Sequence, residues 1–391
     1  MEEKDLIKII RCGETSAVQF KQKFDNQDKI AAEIIAMANA KGGMIIFGIE
    51  DKTGTVVGME YAELQYTSNK ISTVANELIK PQTYIYAEVV SIEIESGEKN
   101  VLVVTVEEGI AKPYKDNNGT IWMKQGADKR KMTDNNEIIR LFQQSGMVYT
   151  DELPVHNTSI EDIDHQKVNE YLKRITQNPD EYEKIPVNLL YQNLQIIKKN
   201  NLTLGGLLFF GKEPQKHKPA FCVKAVAYYG NFIGGLNYRD SRNMTGTIPE
   251  LFKESMLFFK LNLRHEQKGQ NFNSSGILEI SEIALEELIQ NALIHRDYTQ
   301  NSPVRLMIFD HRIEIVSPGC LPNSLTVENI KLGNAVIRNN LLASYSSKLI
   351  KYKGFGSGIP RAMEEQPNIE LINDTGGNQF IVKIPRVFDK I

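Results

Sequence analysis

A chain of 391 residues is too long for one small domain; at roughly 150 residues per domain it holds about two to three. Its 41% hydrophobic and 24% charged residues are ordinary for a globular protein and exclude wholesale disorder or a collagen-like rod. A net charge of −3 gives no chain-wide attraction to nucleic acid, so a DNA or RNA partner needs a local basic patch. The apolar runs, such as Leu204 to Gly211, are of core-strand length and shorter than the ~18 residues that cross a bilayer. Met1 to Asp5 is polar and acidic with no signal-peptide core behind it, so a cytoplasmic location without membrane contact is expected. Cys12, Cys222 and Cys320 are widely spaced and unpaired in sequence, which argues against a disulfide framework or a structural zinc site.

In chain order, Ile30, Ile34, Met37 and Ala38 predict a helix over 27–39, and Gly42-Gly43 breaks it. Met44 to Ile49 reads as a buried strand. A turn at 51–54 and a return strand at 55–58 would make it a hairpin. Ile85 to Ile94 and Lys99 to Val106 alternate as a second hairpin turned at Ser96-Gly97-Glu98. A short strand at 120–124 follows, then a helix over 134–143 with Asp134 as N-cap and Glu137 completing a capping box. Helical spacing at 168–175 stops at Asn178-Pro179-Asp180. Beyond it, 202–210 and 221–229 predict strands, 248–263 and 281–295 helices, 304–309 and 312–316 a hairpin turned at Asp310-His311, and 379–384 a last strand.

The 281–295 helix carries Glu287, Asn291 and His295 at four-residue steps, which places them on one face. Ile283, Leu285, Leu288, Ile289 and Leu293 are expected to form the apolar opposite face. On its own such a stripe reads as a solvated face with a satisfied histidine. Downstream, Ser317-Pro318-Gly319 follows the hairpin, and Gly354-Phe355-Gly356-Ser357-Gly358 opens the next helical segment. Closely spaced glycines let backbone N–H groups approach phosphates, with a helix N-terminus behind them.

Glu287 to Tyr298, Arg312 to Pro322, Arg338-Asn339 and Gly356 to Arg361, in that order, resemble the divergent GHKL ATPase module over roughly 245–385. That module accompanies Schlafen-type AlbA-like domains in bacterial transcriptional regulators of a RecG-related family. The resemblance implies ATP as ligand, with Asn291 holding Mg²⁺ between the phosphates and Glu287 orienting the attacking water. It further implies Gly319 beneath the adenine, Gly354, Gly356 and Gly358 as a phosphate lid, and His295 and Ser317 in the same site. Ser317 stands where the family has an adenine-reading Asp, and a hydroxyl reads the exocyclic amine more weakly.

Near the N-terminus, Gly13-Glu14, Gln19-Phe20-Lys21, Asn39, Gly42-Gly43, Gly48 and Asp51 resemble the Schlafen AlbA-like DNA-binding domain over roughly 8–145. The glycines alone have a structural reading, as the abrupt end of a helix and the start of a strand. The resemblance implies DNA or RNA binding. Some relatives are metal-dependent endoribonucleases with three carboxylates, and the matching positions are Glu14, Gln19 and Asp51. Gln19 replaces a carboxylate with an amide, a poorer Mg²⁺ ligand, which weighs against nuclease activity. Lys112, Lys115, Lys124, Lys129, Arg130 and Lys131, with Lys21 and Lys23 nearby, are candidate phosphate contacts, and Tyr114 and Trp122 candidate base-stacking groups. Residues 1–145 hold 18 Lys plus Arg against 22 Asp plus Glu, a net of −4, so any such contact is confined to that patch.

The expected fold class is α/β of the α+β kind. An AlbA-like mixed domain spans 1–145, a helical linker 146–200, and a GHKL-like α/β sandwich 201–391. The leading function is a DNA-binding transcriptional regulator with nucleotide as a switch, and a homo-oligomer is compatible with it. A nuclease using Glu14 and Asp51 and a non-catalytic scaffold are the alternatives. His295-Arg296-Asp297 echoes a kinase loop without the accompanying kinase motifs. Cys12 is expected to be a small buried core residue.

Overall fold

Asn26 starts the first long helix of the protein. Its side chain accepts hydrogen bonds from the N–H groups of Asp28 and Lys29, and the helix runs Gln27–Asn39. The computed structural model describes residues 1–391 except 52, 96, 179–181, 183, 235–236, 267–275, 323–324, 351, 353, 355 and 387–391. The expected turn residues Lys52 and Ser96, the helix stop at Pro179-Asp180, and Phe355 lie outside the described residues. The chain forms two units, Met1–Val148 and Tyr149–Ile391. Both mix helix and strand, an α/β architecture.

The first unit is built on a four-stranded sheet in the order Val18–Lys21, Gly43–Phe47, Gly97–Val106, Ile85–Ile94. The first pair is parallel and the other two antiparallel. Alternate residues of Gly97–Val106 enter opposite cores. Leu102, Val104 and Val106 pack with the helix residues Ile30, Ile34 and Met37, while Val101 and Val103 pack with Leu6, Phe20 and Ile46. Burial on both faces explains the unbroken apolar run. Gly43 must lack a side chain, because a Cβ there would lie 2.6 Å from the carbonyl oxygen of Ala17.

Three expectations for this unit are corrected. The return strand at 55–58 is a single bridge between Ile49 and Val56, because both hydrogen-bonding edges of Gly43–Phe47 are already taken by Val18–Lys21 and Gly97–Val106. Cys12 is exposed, at the last turn of helix Glu3–Cys12, whose buried residue is Leu6. Helix Tyr61–Glu77, which period reading did not find, closes its N-terminus with a capping box between Glu60 and Glu63. Near the end of the unit, Asp134 accepts from the Glu137 N–H at 3.2 Å and helix Asn135–Gln144 follows, while the Glu137 carboxylate pairs with Arg130.

The second unit carries a six-stranded sheet in the order Tyr238–Met244, Val223–Tyr228, Val304–Ile308, Arg312–Pro318, Gln379–Pro385, Glu370–Asp374. Only Val223–Tyr228 and Val304–Ile308 are parallel neighbours. Helices Ile248–Asn262 and Glu282–Ile294 supply Phe259, Leu285, Leu288 and Leu293 to the core against this sheet. Within 146–200 the described residues form helices His165–Ile175 and Val187–Asn193, and Val155, Ile163, Val168, Leu172 and Leu190 are buried in the same core. Residues 202–210, expected as a strand, form helix Leu204–Phe210 instead, capped by the Thr203 hydroxyl accepting from Gly206 N–H at 2.9 Å. Every residue of that helix is buried, so it shows no polar face and no helical period. Among the described residues no helix is long and apolar enough to cross a membrane.

Candidate functional site

Ser281 accepts from the Ala284 N–H and starts helix Glu282–Ile294. Leu285, Leu288, Ile289 and Leu293 are buried as expected, but Ile283, in the first turn, is 42% exposed. The other side of the helix faces a cavity that takes in about 990 Å³ of space when its open mouth is counted. Glu287, Asn291 and His295 line it, and so do Ser317, Gly319, Gly354, Gly356 and Gly358. These three separated chain segments therefore converge on one space. Leu288, Ile315, Leu325, Val336, Phe380 and Val382 give it apolar walls.

The polar groups are not equivalent. Glu287 is nearly buried and ion-paired with Arg361. A Cβ on Gly358 would lie 2.5 Å from Oε2 of Glu287 and 3.3 Å from Nδ2 of Asn291, so the start of helix Gly358–Glu365 rests directly on these two side chains. Nε2 of His295 lies 2.6 Å from the Tyr352 hydroxyl. Enclosure by protein, aided by the Arg338 cation, drives His295 down to about 4, and burial pushes Tyr352 up to about 12. Both rings are therefore neutral near pH 7, and His295 offers the cavity no cation. The Ser317 hydroxyl donates to the carbonyl of Ala292 at 2.9 Å, so it can face a ligand only as an acceptor. Gly319 has φ +103°, and a Cβ there would lie 2.5 Å from Cβ of Asp297 and 2.6 Å from the Arg338 guanidinium. Arg338 bonds the carbonyls of His295 and Cys320 and thereby ties the helix end to this loop.

Sequence reasoning assigned no role to Tyr352, Arg338 or Arg361. The last two were visible inside the quoted motifs, but their partners are 43 and 74 residues away in the chain and left no local signal.

In the first unit, the positions matched to a carboxylate triad are each engaged by neighbouring protein groups. Glu14 accepts from the Gln19 amide and from the Phe20 N–H. Asp51 is held by Lys21 at 2.6 Å and by the Gln22 N–H at 3.1 Å. The Lys124 ammonium, 1% exposed, sits among Gln19, Glu33 and the Ala127 carbonyl, and Lys129 takes the other Glu33 oxygen at 2.5 Å. A protein cation thus already occupies the buried acidic pocket beside Gln19. Among the described residues no group of three or more His, Cys, Asp or Glu could hold a metal ion.

The basic patch is likewise smaller than expected. Lys124 is enclosed as described. Lys112 is buried against Glu108 and the Ala40 carbonyl, and burial lowers its pKa. Neither reaches a phosphate. Tyr114 is buried in the core and cannot stack on a base, while Trp122 donates to Asp116 and lies under Lys131. At the surface remain Lys23, Lys115 and Lys131, all exposed, and Lys21, Lys129 and Arg130, half-buried in ion pairs.

Residues 14–133 match the family model described as Schlafen, AlbA_2. Residues 301–383 match the one described as "Putative ATP-dependent DNA helicase recG C-terminal", and residues 139–224 match a domain of unknown function, DUF8451. The chain thus has an N-terminal Schlafen AlbA_2 domain and a C-terminal domain of the recG C-terminal type. The C-terminal match takes in Ser317, Gly319 and the glycine loop, and begins ten residues after Asn291. No curated protein matches the chain. Among solved structures, the DIP2311 protein from Corynebacterium diphtheriae is similar with 20% identity and a TM-score of 0.47, over 95% of this chain and 75% of that one.

Proposed function

We propose that this protein is a nucleic-acid-binding regulator, acting on transcription, whose second unit binds ATP and whose grip on DNA responds to that ligand. The observation that carries the reading is the convergence of Glu287, Asn291, Ser317, Gly319 and the 354–358 glycines on one cavity, in a chain that also has a Schlafen AlbA_2 domain. The apolar walls suit a purine, and the polar helix face with its glycine loop suits the phosphates. The donor set fits Mg²⁺ held mainly by the nucleotide: Asn291 offers one oxygen, and this ion keeps most of its shell from phosphate and water. Mg²⁺ would supply charge neutralisation there. Glu287 is engaged by Arg361, and a carboxylate held by a guanidinium is a weak proton acceptor. The reading is therefore ligand binding, with turnover slow at most.

Titration calorimetry with a non-hydrolysable ATP analogue and Mg²⁺ tests it. The wild-type chain is expected to bind, and Asn291→Ala to lose about tenfold or more, the equivalent of ~1.4 kcal/mol. Absence of heat in the wild type sinks the nucleotide half. For the nucleic-acid half, binding to duplex DNA should weaken steeply with salt, with log K falling by roughly 0.9 per phosphate contact against log salt. The double variant Arg130→Glu, Lys131→Glu should lower both the affinity and that slope. Salt-independent binding, or none, argues for a scaffold. Repeating the titration with saturating ATP analogue measures the coupling between ligands, which must be reciprocal if it exists.

A further inference from the structure

Arg361 stands behind the cavity wall, on the helix whose Gly358 and Ile359 line it. It lies on helix Gly358–Glu365, less than one turn after Gly358, and its guanidinium pairs with Glu287, which lines the cavity. The Arg361 side chain is 39% exposed while that of Glu287 is 10% exposed, so the cation can leave and the carboxylate stays. The Nε of Arg361 is buried and has no hydrogen-bond partner among the described residues. A guanidinium is built to bind through two parallel N–H groups, and here one buried donor is unused. The first residue of the same helix, Gly358, rests on Glu287 and Asn291, so the helix and its arginine press on the end of the cavity where phosphate would lie.

Electrostatics then constrains what happens when a phosphorylated ligand enters. A phosphate beside Asn291 meets the negative charge of Glu287 at short range. Repulsion between the two anions in a partly desolvated pocket favours a protein cation that serves the phosphate alongside the nucleotide's Mg²⁺. Arg361 is already within reach of Glu287, and phosphate matches its fork better than one carboxylate oxygen does. We propose that Arg361 is the phosphate-binding cation of this cavity, and that it exchanges Glu287 for the ligand's terminal phosphates when they arrive. Glu287 is then a placeholder that competes with the ligand for the same guanidinium. This rests on the nucleotide reading above and adds to it a residue, an exchange of partners, and a preference for ligands by phosphate content.

The test uses the full chain, with adenosine, ADP and ATP titrated by calorimetry at fixed Mg²⁺ into the wild type, Arg361→Ala, Arg361→Lys and Glu287→Gln. Circular dichroism first establishes that each variant is folded. Arg361→Ala is expected to weaken ATP about tenfold or more while leaving adenosine within about twofold. Arg361→Lys should recover part of the loss, because it keeps the charge but not the fork. Glu287→Gln should tighten ATP several-fold and leave adenosine unchanged, since the competing anion is gone. Equal weakening of adenosine and ATP in Arg361→Ala makes the residue a structural clamp and overturns the assignment, as does an unchanged ATP affinity. A wild type that binds adenosine but not ATP also overturns it while sparing the base site. A wild type that binds neither removes the nucleotide reading and this assignment together.

Discussion

Arg296→Ala is expected to destabilise the second unit by about 3–5 kcal/mol. Arg296 follows His295 at the end of the helix that lines the cavity, and it is 2% exposed. Its Nη2 donates to the carbonyls of Gln300 at 3.0 Å, Ala220 at 3.5 Å and Ser302. The guanidinium lies beside an edge-to-face pair of rings, its carbon 4.4 Å from the centroid of Phe221 and 4.9 Å from that of Tyr298. Burial lowers its pKa, yet a guanidinium keeps its proton, so the fold must accommodate a buried cation. Carbonyl dipoles and two ring faces do this. Truncation leaves those carbonyls without their donor and a void beside the Phe221–Tyr298 pair. At roughly 2–4 °C per kcal/mol for a unit of this size, the melting temperature should fall by about 10 °C. Arg296→Lys should lose a smaller but clear amount, because an ammonium lacks the planar guanidinium that meets both rings and the carbonyls together. The loss bears on the site as well: the neighbouring Asp297 N–H donates to Pro318 at 2.8 Å, which fixes the helix end against the turn that carries Gly319. Chemical unfolding of the wild type and both variants decides the matter, and a loss below about 1 kcal/mol in Arg296→Ala would show that the cation contributes little.

Period and turn chemistry made much of the scaffold legible. The helix over 27–39, the hairpin of Ile85–Ile94 with Gly97–Val106, the helix Glu282–Ile294 and the hairpin around Asp310-His311 all follow from local pattern. Leu204–Phe210 did not, because burial on every side erases the amphipathic signal that separates helix from strand, and Gly205-Gly206 argue against a helix by propensity. Those glycines are required for another reason: a Cβ on Gly205 would lie 2.9 Å from Cβ of Leu341, so the helix packs closer than a side chain allows. At the cavity, residue types and their order along the chain pointed to the wall-forming positions, since Glu287, Asn291 and His295 share a helix. What local pattern could not carry is the state of each group. The occupation of Glu287 by Arg361, the Ser317 hydroxyl committed to Ala292, and the neutral His295–Tyr352 pair all depend on partners 25 to 74 residues away. The basic patch shows the same limit. Lys112 and Lys124 read as surface charges, yet their partners at Ala40 and at Gln19 and Glu33 are brought to them only by the fold.

A pH profile that runs against the usual carboxylate trend is the second large effect expected, and Asp151 is its source. Asn339 stands at the start of helix Asn340–Leu349 but turns its amide to the carbonyls of Ile294 and Arg296. The helix end is capped instead by Asp151, 191 residues earlier, whose Oδ2 accepts from the Leu342 N–H at 2.9 Å. The side chain is fully buried, and Oδ1 finds no partner among the described residues. Desolvation, with Glu152 adding to it, raises the carboxyl from 3.8 to about 6 despite the helix N–H groups. The folded state therefore holds a proton between pH 4 and 6 that the unfolded state releases. The stability tied to that proton is present below about pH 4 and is lost as pH rises through about 6, a change of roughly 3 kcal/mol at ~1.4 kcal/mol per unit. His295 works in the opposite direction in the same window. Its pKa is driven from 6.5 to about 4, so the unfolded state takes up a proton first and stability falls as pH drops. The two nearly cancel in the wild type and must be separated by difference. Asp151→Asn keeps an oxygen for the Leu342 N–H and removes the titration, while His295 is retained in both proteins. Unfolding free energies measured from pH 4.5 to 7.5 should show the variant more stable than the wild type at pH 7.5, with the gap closing by roughly 2 kcal/mol as the pH falls toward 4.5. A gap that stays constant across that range would mean that Asp151 is ionised throughout and that the cap bonds outweigh its burial.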